Sequence, residues 1–372
     1  MTWYRKAAVQ DHVNAQYNLG VMYSDGQGVA RDATKAAKWY RKAAVNGYPD
    51  AQNNLGWLYQ KGQGVPQDDA EAVKWYAKAA AQKLALAQYN LALLYAEGQG
   101  VPRDYAAAFR WYRLAAAQGH ASAEFRLGWL YTKGRGVEKD VKQAVAWFTK
   151  AAKQGIAVAQ SRIGWMRLTG NGVKKDYAKA IQWFEKAAAR QYTQAFFYLA
   201  TMHRRGLGRG KGHAAAAKRY RKAVNKDHAA SQYRLGWYLY RGIGVGKNFR
   251  ESALWIGKAA ATEHAKSQHS LSWMYTKGNG VTKNSATAVA WFRKAAAQGY
   301  PDAQARLGWV YRKGIGAPPD KAEAYMWYSL AASNAKAAAK ARKRARKNRG
   351  LVEETMSPAE ISEAKRRIKE RG

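Results

Sequence analysis

Between Ala51 and Ala80 the apolar positions follow helical spacing. Ala51, Leu55, Leu58 and Tyr59 fall at i, i+4, i+7 and i+8, one face of an amphipathic helix. Gly62 and Gly64 end this first helix (helix A). Val65 then runs extended, because the residue before Pro66 avoids the helical region. Asp68 opens a second helix (helix B) as its N-cap, and Glu71, three residues on, predicts a capping box. Ala72, Trp75, Tyr76, Ala79 and Ala80 give helix B its buried face, and a turn near Gln82 and Lys83 leads onward.

The pattern repeats every 36 residues without a slip. Leu55-Gly56 returns as Leu19-Gly20, Leu91-Ala92, Leu127-Gly128, Ile163-Gly164, Leu199-Ala200, Leu235-Gly236, Leu271-Ser272 and Leu307-Gly308. An aromatic pair recurs on the same beat from Trp3-Tyr4 to Trp327-Tyr328. The position of Gly56 holds only Gly, Ala or Ser, which lets paired helices approach while Trp75 and Tyr76 fill the space around it. One such unit cannot bury its apolar face alone, so stacking is required. The expected fold is all-α: a right-handed α-α superhelical solenoid of about nine helix-turn-helix repeats, about eighteen helices, plus a C-terminal capping helix. As one elongated domain it divides into an incomplete first repeat (1–12, helix B only), the solenoid (13–334) and a basic helical cap or tail (335–372).

The run Leu-Gly-x-x-Tyr, Gly-x-Gly-Val, Asp, Lys-Trp-Tyr-x-Lys-Ala-Ala resembles the Sel-one-like repeat (SLR), a relative of the tetratricopeptide repeat. The resemblance covers Met1 to about Ala332, and the segment from Met356 resembles the terminal helix that ends such arrays. It implies an interaction scaffold or adaptor with no shared chemistry, in which helix A lines the concave inner surface. Some members are cysteine-rich, secreted and linked to β-lactam chemistry. This chain has no cysteine and departs from that pattern.

Charge changes the picture most. The chain holds 64 basic and 25 acidic residues, a net +39. Residues 1–140 carry 18 basic and 12 acidic residues, residues 141–349 carry 41 and 8, and the last 23 carry 5 and 5. Such a field attracts polyanions and opposes self-association, so a monomer is expected unless the open N-terminal end pairs. Trp3 has no helix A of its own in the sequence, and the first helix is expected to fray or to find a partner. No apolar run of transmembrane length and no signal peptide is present. The chain as written reads as cytoplasmic, and as periplasmic or secreted if a leader precedes Met1.

From the fourth unit, helix A carries a second pattern. Arg126, Arg162, Arg234 and Arg306 share one register, interrupted by Tyr198 and Ser270. Three residues on stand Trp129, Trp165, Trp237, Trp273 and Trp309, and four further Lys133, Arg241, Lys277 and Lys313. Offsets of i, i+3 and i+7 place them on one helix face, distinct from that of Leu127 and Tyr131. They form the candidate ligand groove: guanidinium groups fork onto carboxylates or phosphates, and indole faces stack. The alternative is that the indoles pack against the next unit and the cations are solvated.

The sixth unit breaks pattern: its loop runs Gly206 to Gly212, Gly212 replaces the acidic or Asn cap, and Arg219 replaces Trp. Lys186 to Lys226 holds eleven basic residues and no acidic one. It reads as a decayed repeat, or else as an anion contact or a bend. The segment Lys336 to Arg349 carries eight basic residues. Of these Lys340, Arg342, Lys343, Arg344, Arg346 and Lys347 form a candidate basic tail, which serves equally as a cap with a polar outer face.

No catalytic constellation appears. His12, His120, His228 and His264 occupy one repeat slot and read as packing residues between units, and no pair of histidines has the spacing of a helical zinc motif. Asp32, Asp68, Asp104, Asp140, Asp176 and Asp320 all stand at the helix B start and read as N-caps. No cofactor and no enzymatic activity is expected. The expected function is a scaffold holding an acidic or extended segment of a protein partner, the alternative being binding of nucleic acid or an acidic polysaccharide.

Overall fold

The computed structural model describes residues 2–208, 210–224 and 228–371. It is helical throughout, with no strand among the described residues. The chain forms two compact units, Met1–Arg190 and Gln191–Gly372. The first contains α1 (Thr2–Val9), α2 (Val13–Asp25), α3 (Ala33–Val45), α4 (Pro49–Lys61), α5 (Asp69–Ala81), α6 (Ala85–Glu97), α7 (Tyr105–Ala117), α8 (Ala121–Lys133), α9 (Val141–Lys153), α10 (Ala157–Thr169) and α11 (Tyr177–Ala189). The second contains α12 (Thr193–Arg205), α13 (His213–Ala223), α14 (Ala229–Arg241), α15 (Phe249–Ala261), α16 (Ala265–Lys277), α17 (Ser285–Ala297), α18 (Pro301–Lys313), α19 (Lys321–Ser333), α20 (Ala339–Glu353) and α21 (Pro358–Arg371).

Each repeat is one antiparallel helix pair, and consecutive pairs stack within each unit. The small residue of helix A faces the second aromatic of the helix B pair. A Cβ built on Gly128 would lie 2.7 Å from the ring of Phe148, and one on Gly308 2.7 Å from Tyr328. Phe148, Tyr76, Tyr112 and Tyr328 are accordingly among the largest fully buried side chains. The first aromatic of the pair has a different place. The lysine three residues on lies over its indole, at 4.2 Å for Lys78 over Trp75 and 4.2 Å for Lys150 over Trp147. Trp75 and Tyr76 therefore do not share the task of filling the space beside Gly56; Tyr76 does it, at the short range its ring allows.

The expected acidic caps are present: the Asp32, Asp68, Asp104, Asp140, Asp176 and Asp320 side chains each accept from the first turn of helix B. The capping box closes on one side only. Asp68 accepts from the Glu71 amide, but the Asp68 amide donates to Tyr59 and Glu71 pairs with Lys74.

Two devices join successive repeats. The second loop glycine touches the preceding repeat: a Cβ on Gly136 would lie 2.1 Å from the carbonyl oxygen of Tyr105, and one on Gly280 2.0 Å from that of Phe249. A buried glutamine on helix A donates back to helix B before it, as Gln52 to the Ala44 carbonyl at 3.0 Å and Gln88 to the Ala80 carbonyl at 3.2 Å. The glutamine after the following helix B then donates to it, Gln82 to Gln52 and Gln118 to Gln88, each at 2.9 Å. The buried Gln52 and Gln88 amides are thereby satisfied across repeat boundaries, whereas the buried Oε1 atoms of Gln160 and Gln232 have no such donor.

At the C-terminus, α20 and α21 both pack on α19. Ala345 and Val352 are buried, and Arg367 on α21 reaches Asp320 at 3.0 Å and Glu323 at 3.2 Å. The cap is thus a helix pair. Its exposed side carries Lys340, Lys343, Arg344, Arg346 and Lys347, with Arg342 half-buried.

Candidate functional site

In the first unit the second register places Arg126 and Trp129 on α8 and Arg162 and Trp165 on α10, all half-buried, with Lys133 exposed. The Arg162 guanidinium lies 5.6 Å from Trp165 and 5.8 Å from Phe148. Trp129 is covered by Arg135, at 4.9 Å, a loop residue that helix periodicity does not single out. Trp129 and Trp165 also pack against the buried cluster around Phe148, so these two indoles are partly structural.

The second unit carries the richer arrangement. Helices α14, α16 and α18 present Trp237, Trp273 and Trp309 at one register, with Arg241, Lys277 and Lys313 exposed. Arg306 stacks between two indoles, 3.8 Å from Trp309 and 4.5 Å from Trp273. This rung is roofed by the cap: a cavity of about 390 Å³ is lined by Trp273, Arg306 and Trp309 together with Arg344 and Asn348 of α20. Burial pushes the Arg306 pKa down from its ordinary value. Arg306 is therefore a wall of the site rather than an open cation, whereas Arg344 supplies the exposed charge. Arg234, half-buried, lies 6.0 Å over the ring of Tyr233.

A second cavity, of about 340 Å³, adjoins the first through His269 and Trp273. Tyr233, Trp237, Tyr240, Arg241, Lys266 and Ser270 line it. Trp237 is 36% exposed, more open than its two counterparts. His269 fixes one wall: Trp273 Nε1 donates to His269 Nε2 at 3.2 Å, and Tyr300 packs on the imidazole at 5.0 Å. Periodicity singles out the Trp and Arg registers here but not Lys266, Tyr233, Tyr240 or Asn348, which neighbouring helices bring in.

The histidine slot has a role beyond packing. His120, His228 and His264 stand at the N-cap of helix A, and their Nδ1 atoms accept from Ala123, Ser231 and Ser267. They also pack between repeats, as His120 on Tyr89 at 4.7 Å. In the sixth repeat α13 starts after Gly212 without a side-chain cap. Arg204, Arg205 and Lys211 line a cavity there, while Arg209 and Lys226 lie outside the described residues. No group of three His, Asp or Glu side chains suited to a metal occurs among the described residues, and no described helix is long and apolar enough to cross a membrane.

Paired helices in a fixed period, joined by glycine loops and glutamine hydrogen bonds, define an α-solenoid repeat protein. The Sel1 repeat family profile matches residues 13–48, 49–84, 85–120, 121–156, 157–192, 229–261, 265–300 and 301–335, and the chain belongs to this family. Residues 193–228, the degenerate sixth repeat, fall outside the match although α12 and α13 still pair. The structure is similar to c5321 of uropathogenic Escherichia coli, described as a protective antigen displaying an SLR fold: 32% identity over 100% of this chain and 86% of that one, TM-score 0.63. It is also similar to a Sel1 repeat protein from Oxalobacter formigenes: 32% identity over 83% of this chain and 90% of that one, TM-score 0.66. No curated protein matches the sequence. Sel1 repeat proteins are generally non-catalytic scaffolds that bind protein partners.

Proposed function

We propose that the helix A face of the Gln191–Gly372 unit holds an acidic, extended segment of a protein partner. The observation that carries this reading is the pair of adjoining cavities between α14, α16, α18 and α20, walled by Trp237, Trp273 and Trp309 and edged by Arg241, Lys266 and Arg344. Aromatic walls supply contact area, and cations at the edge select carboxylates and steer approach. In the Met1–Arg190 unit, Arg126, Arg162 and Lys133 offer a smaller surface of the same kind.

Changing Arg241, Lys266 and Arg344, the cations that edge the two cavities, to Gln tests the reading. Binding of a fluorescent ten-residue glutamate-rich peptide is expected to weaken about 30-fold, from a few partly exposed charge pairs at about 0.5–1 kcal/mol each. The helical circular dichroism should persist. Unchanged affinity with an intact fold would remove this face from the binding surface.

A second reading, binding of a polyanion, rests on the exposed Lys340, Lys343, Arg344, Arg346 and Lys347 of α20 and on Arg204, Arg205 and Lys211 around one cavity. Duplex DNA held in this way would lose affinity with log salt at a slope of about −0.9 per phosphate neutralised. Peptide binding between indoles would change less.

A further inference from the structure

The repeats of the second unit can be compared rung by rung. Trp237, Trp273 and Trp309 are equivalent, one per repeat, and the residue three before each is Arg234, Ser270 and Arg306. At the last rung the Arg306 side chain fills the interval between successive indoles, 4.5 Å from Trp273 and 3.8 Å from Trp309. One repeat earlier the same interval lies between Trp237 and Trp273, and the residue that would fill it is Ser270. A hydroxymethyl group cannot span a gap that a guanidinium and its three-carbon stem occupy elsewhere. The gap is the cavity of about 340 Å³, with Trp237, Tyr240 and Trp273 around Ser270.

The chemistry of the edge selects the occupant. The geometry next door shows that a flat group fits between two indoles of this array. A cationic group is disfavoured, because Arg241 and Lys266 already line the cavity and the unit's sequence is strongly basic. Carboxylates beside a flat, uncharged ring satisfy both the walls and the edge. We propose that the Ser270 gap is a specificity pocket for one aromatic side chain of an acidic segment, its ring against Trp237 and Trp273 and its flanking carboxylates toward Arg241 and Lys266. This rests on the reading of the helix A face as the docking surface and adds the residue that the face selects.

The test uses the full chain and two synthetic peptides, Glu-Glu-Glu-Phe-Glu-Glu and the same peptide with Ala for Phe, titrated by calorimetry. The wild-type chain is expected to bind the Phe peptide about tenfold more tightly, the scale of one aromatic contact plus its buried area. Ser270→Arg supplies the side chain that the neighbouring rungs carry, and should bring the two peptides to equal affinity. Trp237→Ala, which removes an exposed wall, should do the same if the arginine variant folds poorly. Equal binding of both peptides by the wild type would overturn the pocket and leave the acidic docking surface standing. Binding of neither peptide would overturn both. Tighter binding of a peptide with Arg in place of Phe would overturn the pocket as described and assign the gap to a cation.

Discussion

Replacing Gly136 by alanine is expected to destabilise the Met1–Arg190 unit by about 4 kcal/mol, several times the cost of the same change at Gly134. Both glycines are left-handed, at φ +69° and +65°. That conformation alone costs an alanine about 1 kcal/mol. The difference comes from what the new methyl group meets. At Gly134 the nearest atom outside the loop backbone is Lys139 Cβ at 3.2 Å, which can shift. At Gly136 it is the Tyr105 carbonyl oxygen at 2.1 Å, with the Ala106 nitrogen at 2.6 Å. These are main-chain atoms at the start of α7, already held by the Asp104 cap. To admit the methyl group the loop must leave the preceding repeat, and in a stacked array that opens a nearest-neighbour interface. Urea unfolding of the two variants, followed by circular dichroism, measures the difference. Equal midpoints would mean that the loop does not bear on α7.

The second large effect is expected on acidification of the Gln191–Gly372 unit. His269 accepts from Trp273 Nε1 and therefore needs an unprotonated Nε2. Rings of Tyr300 and Phe292 lie 5.0 and 5.7 Å away. Burial pushes its pKa down to about 4, with Arg306 and Lys266 acting in the same direction and Asp302 against it. In the unfolded chain a histidine titrates at about 6.5. Between those values the unfolded chain binds a proton that the folded chain refuses, so stability falls as pH drops from about 6.5 to about 4 and levels off below. The full loss amounts to about 3 kcal/mol. Burial lowers His228 and His264 as well, which adds to the slope. His269→Phe isolates the effect, since Phe125 and Phe197 occupy this register in other repeats. The variant should lose less stability than wild type between pH 7 and pH 4.5 in urea unfolding. The same loss in both would exonerate His269.

The repeat architecture was legible because its marks are local: a small residue facing an aromatic, a glycine loop and an acidic cap return at fixed intervals. The glutamines were not legible. Gln52 and Gln88 stand on helices as ordinary polar residues, and their partners are main-chain carbonyls on a different helix. The period shows the helix A caps only as packing positions, because imidazole is an uncommon cap; Nδ1 serves where other chains use a carboxylate or hydroxyl. For the candidate site, periodicity placed Arg306 and Trp309 on one face of α18. It did not show that Arg306 also reaches Trp273, since that depends on the distance between repeats. The one available signal was the interruption of the arginine register at Ser270, where an exception mattered more than the rule. The division after Arg190 left no mark in the period, which runs through it unbroken.

The glutamine bonds have a consequence for how such a gene can change. Each bond runs between positions at a constant offset, so removing residues 49–84 as a block would set Gln88 opposite the Ala44 carbonyl, where Gln52 now stands. Gln118 would still donate to Gln88, and Asn46 to Gln16, because both partners of each pair lie on the same side of the cut. Loss or duplication of one whole period keeps these pairs matched, whereas a shift of a single codon leaves buried amides unmatched along the seam. The polar seam therefore acts as a reading frame for recombination: it permits the array to lengthen or shorten in whole units and penalises any other step.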